Sequence, residues 1–138
     1  MANLKCKTRG GSPQGKPRVY FCCHPADLDQ YFEAVSNEIL AQQNCAIWYA
    51  EERILRDESF FEDLKQMQLF VMPVTTNLLC TENEALKLEF RFAIENRIPV
   101  LPLMQERGLE TLFNEKCGDL QLLDKSNADV SAISYDEN

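Results

Sequence analysis

The amino-acid sequence predicts an α/β fold with an open parallel sheet of about five strands and helices on both faces. Short apolar runs, rich in β-forming residues, alternate along the chain with amphipathic helical segments. The segments between consecutive runs are too long for hairpins, so neighbouring strands require crossover connections. The length of 138 residues fits a single domain.

The amino-terminal segment differs in composition from the rest of the chain. Because residues 1–17 are rich in Gly, Pro and Lys, we expect a flexible basic leader, with order beginning near Arg18. Residues 1–18 hold five of the 14 basic side chains and no acid, so the remainder has 22 acidic and nine basic residues, a net charge of −13. A body this acidic repels phosphate backbones, which argues against a nucleic-acid partner.

Four strands are predicted from short apolar runs of the kind that suits strands buried on both faces. These runs are residues 18–23, 45–49, 69–74 and 98–103. Residues 119–123 are a weaker candidate for a fifth strand. No run approaches the roughly 18 apolar residues of a membrane span, and no secretory signal is recognisable, so no membrane partner is expected.

Helices are predicted between the strands from capping patterns and apolar stripes. Asp27 is the expected N-cap of the first helix. Its stripe has spacings of four, three and four residues: Leu28, Phe32, Val35 and Ile39. Ser59 with Glu62, and Thr81 with Glu84, form capping-box patterns ahead of two further helices.

The carboxyl-terminal residues have the pattern of a further helix start. Ser134 is a possible N-cap, with Glu137 three residues later. We therefore expect residues 18–138 to be one domain that is cut before its last helix, with a fused domain missing from this chain.

The six cysteines predict reduced thiols and a cytoplasmic location. Cys22, Cys23 and Cys45 lie inside apolar strand runs, and adjacent strand residues point to opposite faces. The sequence has no C-x-x-C pair and a single histidine, His24, so no zinc site is expected. The acidic residues of 51–58 are more typical of a solvated loop than of a cation site, and no metal is predicted.

Ligands of open parallel sheets bind beyond the carboxyl ends of the strands. That rule selects the segments that follow Cys23, Tyr49 and Val74. These segments are residues 24–27, 51–58 and 75–77.

Glu89 is the most informative polar residue of the chain. It lies in a predicted helix from about 82 to 96, and its neighbours three and four positions away are apolar: Ala85, Leu86, Phe92 and Ala93. A carboxylate in that position loses hydration unless it has partners, so its pKa tends upward. Two interpretations remain open: a functional carboxylate, or a glutamate at the rim of the packed stripe whose head reaches water.

Other catalytic arrangements are disfavoured. A Cys–His pair at Cys23 and His24 fails because adjacent strand residues diverge. The chain has no G-x-S-x-G elbow, no Walker A loop and no G-x-G-x-x-G. A response-regulator receiver would need acids at strand ends that here carry Cys23-His24 and Thr75-Thr76. Trp48 is expected in the core.

From about residue 18 to residue 123 the chain resembles a Toll/interleukin-1 receptor (TIR) domain, and more narrowly the bacterial ones. The strand RVYFCC, the exposed "BB" loop AEERILRDESFF, the turn VMPVTTN and the strand IPVLPL follow in the family's order. Glu89 precedes Pro102 by thirteen residues, which matches the family's glutamate. The resemblance implies the TIR fold, a flavodoxin-like open parallel sheet.

The resemblance also implies an activity. Many similar TIR domains cleave NAD at the nicotinamide–ribose bond, and their glutamate is essential. For this chain that implies an NAD hydrolase that gives nicotinamide and linear or cyclic ADP-ribose, needs no cofactor and acts in bacterial immunity or signalling. Glu89 is then the implied catalytic residue. The implied substrate-binding residues are Cys23, His24, Tyr49, Arg53, Thr75 and Ala85.

Three departures from the family keep alternatives open. Ala85 stands where many active members have Trp, the BB loop lacks Pro-Gly, and His24-Pro25 follow the first strand where a basic residue is common. One alternative is a non-catalytic TIR module that forms homo-oligomers through the loop 51–58. Another is a nucleotide sensor that binds without turnover.

Overall fold

Four parallel strands and one antiparallel edge strand form the sheet of this protein. The structure, a computed structural model, describes residues 4–51 and 55–118. The strands are β1 Lys5–Thr8, β2 Arg18–Phe21, β3 Ala46–Tyr49, β4 Leu69–Val74 and β5 Val100–Met104. Their spatial order is β1-β3-β2-β4-β5, and β2 to β5 run parallel. The predicted α/β class is confirmed, and the order of the parallel strands is that of a flavodoxin-like sheet.

The fifth strand comes from a region that was expected to be a flexible leader. β1 pairs antiparallel with β3, with Lys5 opposite Tyr49. Lys7 Nζ donates to Ser36 Oγ at 2.9 Å, and Arg9 Nε donates to the Leu40 carbonyl at 2.8 Å. The expectation that order begins near Arg18 is therefore wrong for β1, because partners distant in sequence hold it. The candidate strand 119–123 lies outside the described residues.

Helices cover both faces of the sheet. They are α1 Leu28–Gln42, α2 Glu58–Leu64, α3 Thr76–Cys80, a π-helix Ala85–Phe90 that continues as α4 Arg91–Glu95, and α5 Glu110–Cys117. The side of the sheet that carries Val19 and Phe21 packs against α1, and Tyr20 and Phe70 pack on the other side with α2, the π-helix and α5. Trp48 is half-buried and packs against this second core.

The observed helix starts confirm one predicted cap position and correct two. Asp27 occupies the N-cap position of α1, as predicted, although its side chain makes no capping bond. The cap of α2 is Asp57, whose carboxylate accepts from the Phe60 amide at 2.9 Å, rather than Ser59. Ahead of the π-helix, Asn83 Oδ1 accepts from the Leu86 amide at 2.9 Å, a position that was assigned to Thr81.

The strand order places a crevice at the carboxyl ends of β2 and β4. The chain passes from β2 to β3 on one side and reaches β4 on the other, so connections diverge there, as at the ligand sites of doubly wound sheets. The six cysteines are free thiols. Within residues 4–51 and 55–118, no helix is long and apolar enough to cross a membrane.

Candidate functional site

Glu89 is a buried carboxylate beside the carboxyl end of β2. It lies in the π-helix and its residue surface is 1% exposed. The Tyr20 hydroxyl, which projects from β2, donates to Glu89 Oε1 at 2.7 Å. The burial agrees with the apolar neighbours that the sequence placed around this residue.

Arg56 pairs with the other oxygen of the Glu89 carboxylate. Its Nε and Nη2 donate to Oε2 at 3.1 and 3.0 Å. Its Nε also lies 3.0 Å from Glu84 Oε2, and its guanidinium carbon lies 5.3 Å from the centre of the Phe60 ring. The Arg56 side chain is only 8% exposed. Arg56 therefore bridges one buried and one exposed acid.

Burial and pairing act in opposite directions on the protonation of this site. Burial raises the pKa of Glu89, and the bonds from Tyr20 and Arg56 offset part of that rise. The pKa of Tyr20 is raised well above its ordinary value by burial and by the neighbouring Glu89 charge. Tyr20 is therefore a neutral hydrogen-bond donor to Glu89.

A cleft of about 570 Å³ lies over Arg56. It is lined by the segment 24–26 after β2, by Asp29, by Arg56 and by the segment 82–84. Glu89 does not line it, because Arg56 lies between the carboxylate and the cleft. The sequence predicts Glu89 at the floor of a cleft between residues 24–27, 51–58 and 75–77. The structure corrects this prediction in two parts: Glu89 does not line the cleft, and residues 82–84, rather than 75–77, form its third wall.

Thr75 serves a separate buried network. Its hydroxyl donates to Asp27 Oδ2 at 2.5 Å and accepts from the Leu78 amide at 3.1 Å. Asn77 Nδ2 donates to Asp27 Oδ1 at 3.0 Å. The network joins the loop after β2 to the loop after β4, and the only proton of the Thr75 hydroxyl is used within it.

The remaining predicted substrate-binding residues are dispersed. His24 lines the cleft, and its Nδ1 accepts from the Ala26 amide at 3.0 Å. The buried Ala85 carbonyl lies 3.5 Å from Cys22 Sγ, while Cys23 is half-buried, with its pKa raised by burial. Tyr49 packs on Phe32, on the opposite face of the sheet from Glu89. Arg53 lies outside the described residues.

Sequence reasoning missed both partners of Glu89. Tyr20 carries the only hydroxyl of the first parallel strand, and a buried tyrosine needs a hydrogen-bond partner, so a signal was present. Arg56 offered no signal, because it lies in a charged loop. The π-helix also has no sequence signature, although such turns are frequent at functional sites.

Two searches complete the description of the site. In the part of the chain that the structure describes, no three His, Cys, Asp or Glu side chains are grouped so that they could hold a metal ion. Comparisons of the chain with protein-family models, with curated proteins and with solved structures found no match.

Proposed function

We propose that this protein is a TIR-domain NAD hydrolase that cleaves the nicotinamide–ribose bond, with Glu89 as the catalytic carboxylate. The observation that carries the proposal is a fully buried glutamate next to the ligand crevice of a doubly wound sheet, under a cleft of ligand size. Burying a carboxylate lowers the stability of the folded state. A buried carboxylate in such a position is therefore a candidate for a functional role that outweighs this loss. The product is ADP-ribose or a cyclic form.

The chemistry requires a negative charge near the ribose. As the C1′–N bond breaks, its electron pair neutralises the nicotinamide ring, and positive charge develops on C1′ and the ring oxygen. A carboxylate in a water-poor site stabilises that charge more strongly than one in bulk solvent. Water then attacks C1′ and releases a proton. Tyr20 holds Glu89 Oε1, which orients the carboxylate.

Arg56 has to leave Glu89 before a ribose can reach it. Glu84 offers the alternative partner, since its carboxylate is already 3.0 Å from Arg56 Nε and is largely exposed. Rotation of the guanidinium toward Glu84 opens the cleft floor and removes the cation that competes with the substrate for Glu89. In its new position Arg56 still lines the cleft, where it can pair with a phosphate of NAD.

Nicotinamide release from NAD tests the proposal. Glu89→Gln keeps the size of the side chain and its capacity to accept from Tyr20, so the fold should survive while cleavage falls about a hundredfold or more. The matched control is Asp27→Asn, the same chemical change at a carboxylate that is equally buried but is bonded to Thr75 and Asn77 rather than to the cleft-lining Arg56. Thermal unfolding of both variants establishes that the assay measures folded protein.

Three results would contradict the NAD hydrolase. The first is parental turnover in folded Glu89→Gln. The second is an equal loss in Asp27→Asn. The third is the absence of nicotinamide release by the parent at high protein concentration.

The alternative function is a non-catalytic TIR module that self-associates through the loop 51–58. One observation favours it: Leu55, in that loop, is 72% exposed, an unusual position for a large apolar side chain. Arg56 is unsuited to such a contact because its side chain is buried against Glu89. Leu55→Glu should therefore reduce concentration-dependent assembly in sedimentation. Unchanged sedimentation would show that the protein does not self-associate through this loop. Under either function, a cytoplasmic bacterial location remains part of the proposal.

A further inference from the structure

A second cavity, of about 530 Å³, lies where α3, the π-helix and α5 meet. We call it the basic pocket; it is lined by Leu79, Cys80, Thr81, Glu82, Asn83, Leu86, Lys87, Arg91 and Lys116. It shares Glu82 and Asn83 with the cleft over Arg56 and no other lining residue. Its volume is in the range that holds small-molecule ligands.

The basic pocket has the opposite charge from the chain as a whole. Lys87, Arg91 and Lys116 reach it from the π-helix, α4 and α5, and Glu82 is the one acid in its lining. The chain carries a net charge of −8. Lys87 and Lys116 bring two like charges to the lining of one cavity, and a bound anion is attracted to both.

The two lysines are available to such an anion. Among the described residues, no salt bridge joins Lys87 or Lys116 to an acid. Lysine ammonium groups and the Arg91 guanidinium are the side chains that bind phosphate in proteins. Leu79 and Leu86 add apolar wall on one side of the pocket.

We propose that the basic pocket binds a small molecule that carries two or more phosphate groups, of the size of a nucleoside diphosphate. The phosphates lie against Lys87, Arg91 and Lys116, and the remainder of the molecule packs on the leucines. The site is separate from Glu89 and does not depend on NAD cleavage. Its occupant contacts the segment 82–83, which also forms a wall of the cleft over Arg56.

Cys80 provides a reporter inside the pocket. It is the one exposed thiol among the six cysteines, all of which the structure describes. A ligand that fills the pocket covers Cys80 and slows its alkylation by neutral iodoacetamide. Peptide mapping assigns the modified residue, and Cys80→Ser establishes the background rate.

The first experiment follows Cys80 alkylation with increasing inorganic pyrophosphate or ADP. We expect saturable protection by both ligands and none by adenosine. Protection by adenosine equal to that by ADP, or no protection by either phosphate ligand, overturns the proposal. If inorganic phosphate protects Cys80 from alkylation at the same concentration as pyrophosphate does, the proposal that the ligand needs two or more phosphate groups is overturned.

The second experiment tests the lysines by calorimetric titration with ADP. Lys87→Gln/Lys116→Gln should weaken binding about tenfold or more, since each lost charge contact removes phosphate affinity. The matched control is Lys5→Gln/Lys65→Gln, which removes the same charge from exposed lysines outside the pocket. Equal affinities in the two double variants would show only a diffuse charge effect and would overturn the site. Cys80 protection distinguishes this site from ADP binding in the cleft over Arg56.

Discussion

Two carboxylates of this protein are equally buried and are satisfied in different ways. Asp27 and Glu89 are each 1% exposed. Asp27 accepts from two neutral donors, the Thr75 hydroxyl and the Asn77 amide. Glu89 accepts from the Tyr20 hydroxyl and from the charged Arg56.

The partners of the two carboxylates differ in whether they also contact a second acid. The donors of Asp27 lie at the start of α3, and their bonds join two strand ends, so the network holds backbone in place. Arg56 contacts Glu84 as well as Glu89, and the proposed opening of the site uses Glu84 as the alternative partner of Arg56. A buried charge with an exchangeable partner suits a site that opens, whereas one with fixed neutral partners suits a structural joint.

The largest effect on stability should follow removal of the Arg56 charge. Arg56→Met leaves the Glu89 carboxylate buried beside one hydroxyl, so the free energy of unfolding should fall by about 3 kcal/mol. In a Glu89→Gln background the same change should cost much less, because no charge is left unpaired. Chemical denaturation of the two single variants and the double variant measures the coupling. Additive losses would mean that the pair does not interact.

Glu84→Gln serves as the control for this comparison of the Arg56 and Glu89 variants. It removes the exposed acid that contacts the same Arg56, and exposed pairs contribute about 0–1 kcal/mol. A loss as large as that of Arg56→Met would assign the stabilising contact to Glu84.

An intermediate effect is expected from Asp27→Asn. An asparagine at position 27 places an amide N–H against one of the two donors, the Thr75 hydroxyl or the Asn77 amide. Because two donors cannot bond to each other, a hydrogen bond is lost and the free energy of unfolding should fall by about 1–3 kcal/mol. Hydrogen exchange should rise at the ends of both β2 and β4, because the network joins their loops. Faster exchange confined to one strand end would show that the network is not a joint.

The smallest effect concerns pH. Because burial raises the folded-state pKa of Glu89 above its ordinary value of 4.5, the folded state binds a proton more readily than the unfolded state. The stabilisation from proton binding at Glu89 is fully present below the pKa of this group in the unfolded state, and it is lost as pH rises through its pKa in the folded state. The difference in unfolding free energy between the parent and Glu89→Gln should therefore decrease as pH rises from about 4. An increase over that interval would mean that Arg56 and Tyr20 outweigh burial.

Much of the fold could be predicted because its signals are local. The four apolar runs became β2 to β5 within two residues at each end, since a strand buried on both faces has to be apolar throughout. The burial of Glu89 followed from its neighbours at helical spacing. The edge strand β1 could not be predicted, because its partners are β3 and α1 and its own composition is that of a loop.

By itself the sequence determined the α/β class and the parallel strands, and it singled out Glu89 as a carboxylate among apolar neighbours, because hydrophobic periodicity is read within a few residues. Only the tertiary structure decided which groups satisfy that glutamate, which face of the sheet Tyr49 occupies and where the three cations of the basic pocket converge. The partners of Glu89 lie 33 and 69 positions from it along the chain. Burial requires that such a carboxylate be hydrogen-bonded, but only the tertiary structure decides which distant residues supply the donors.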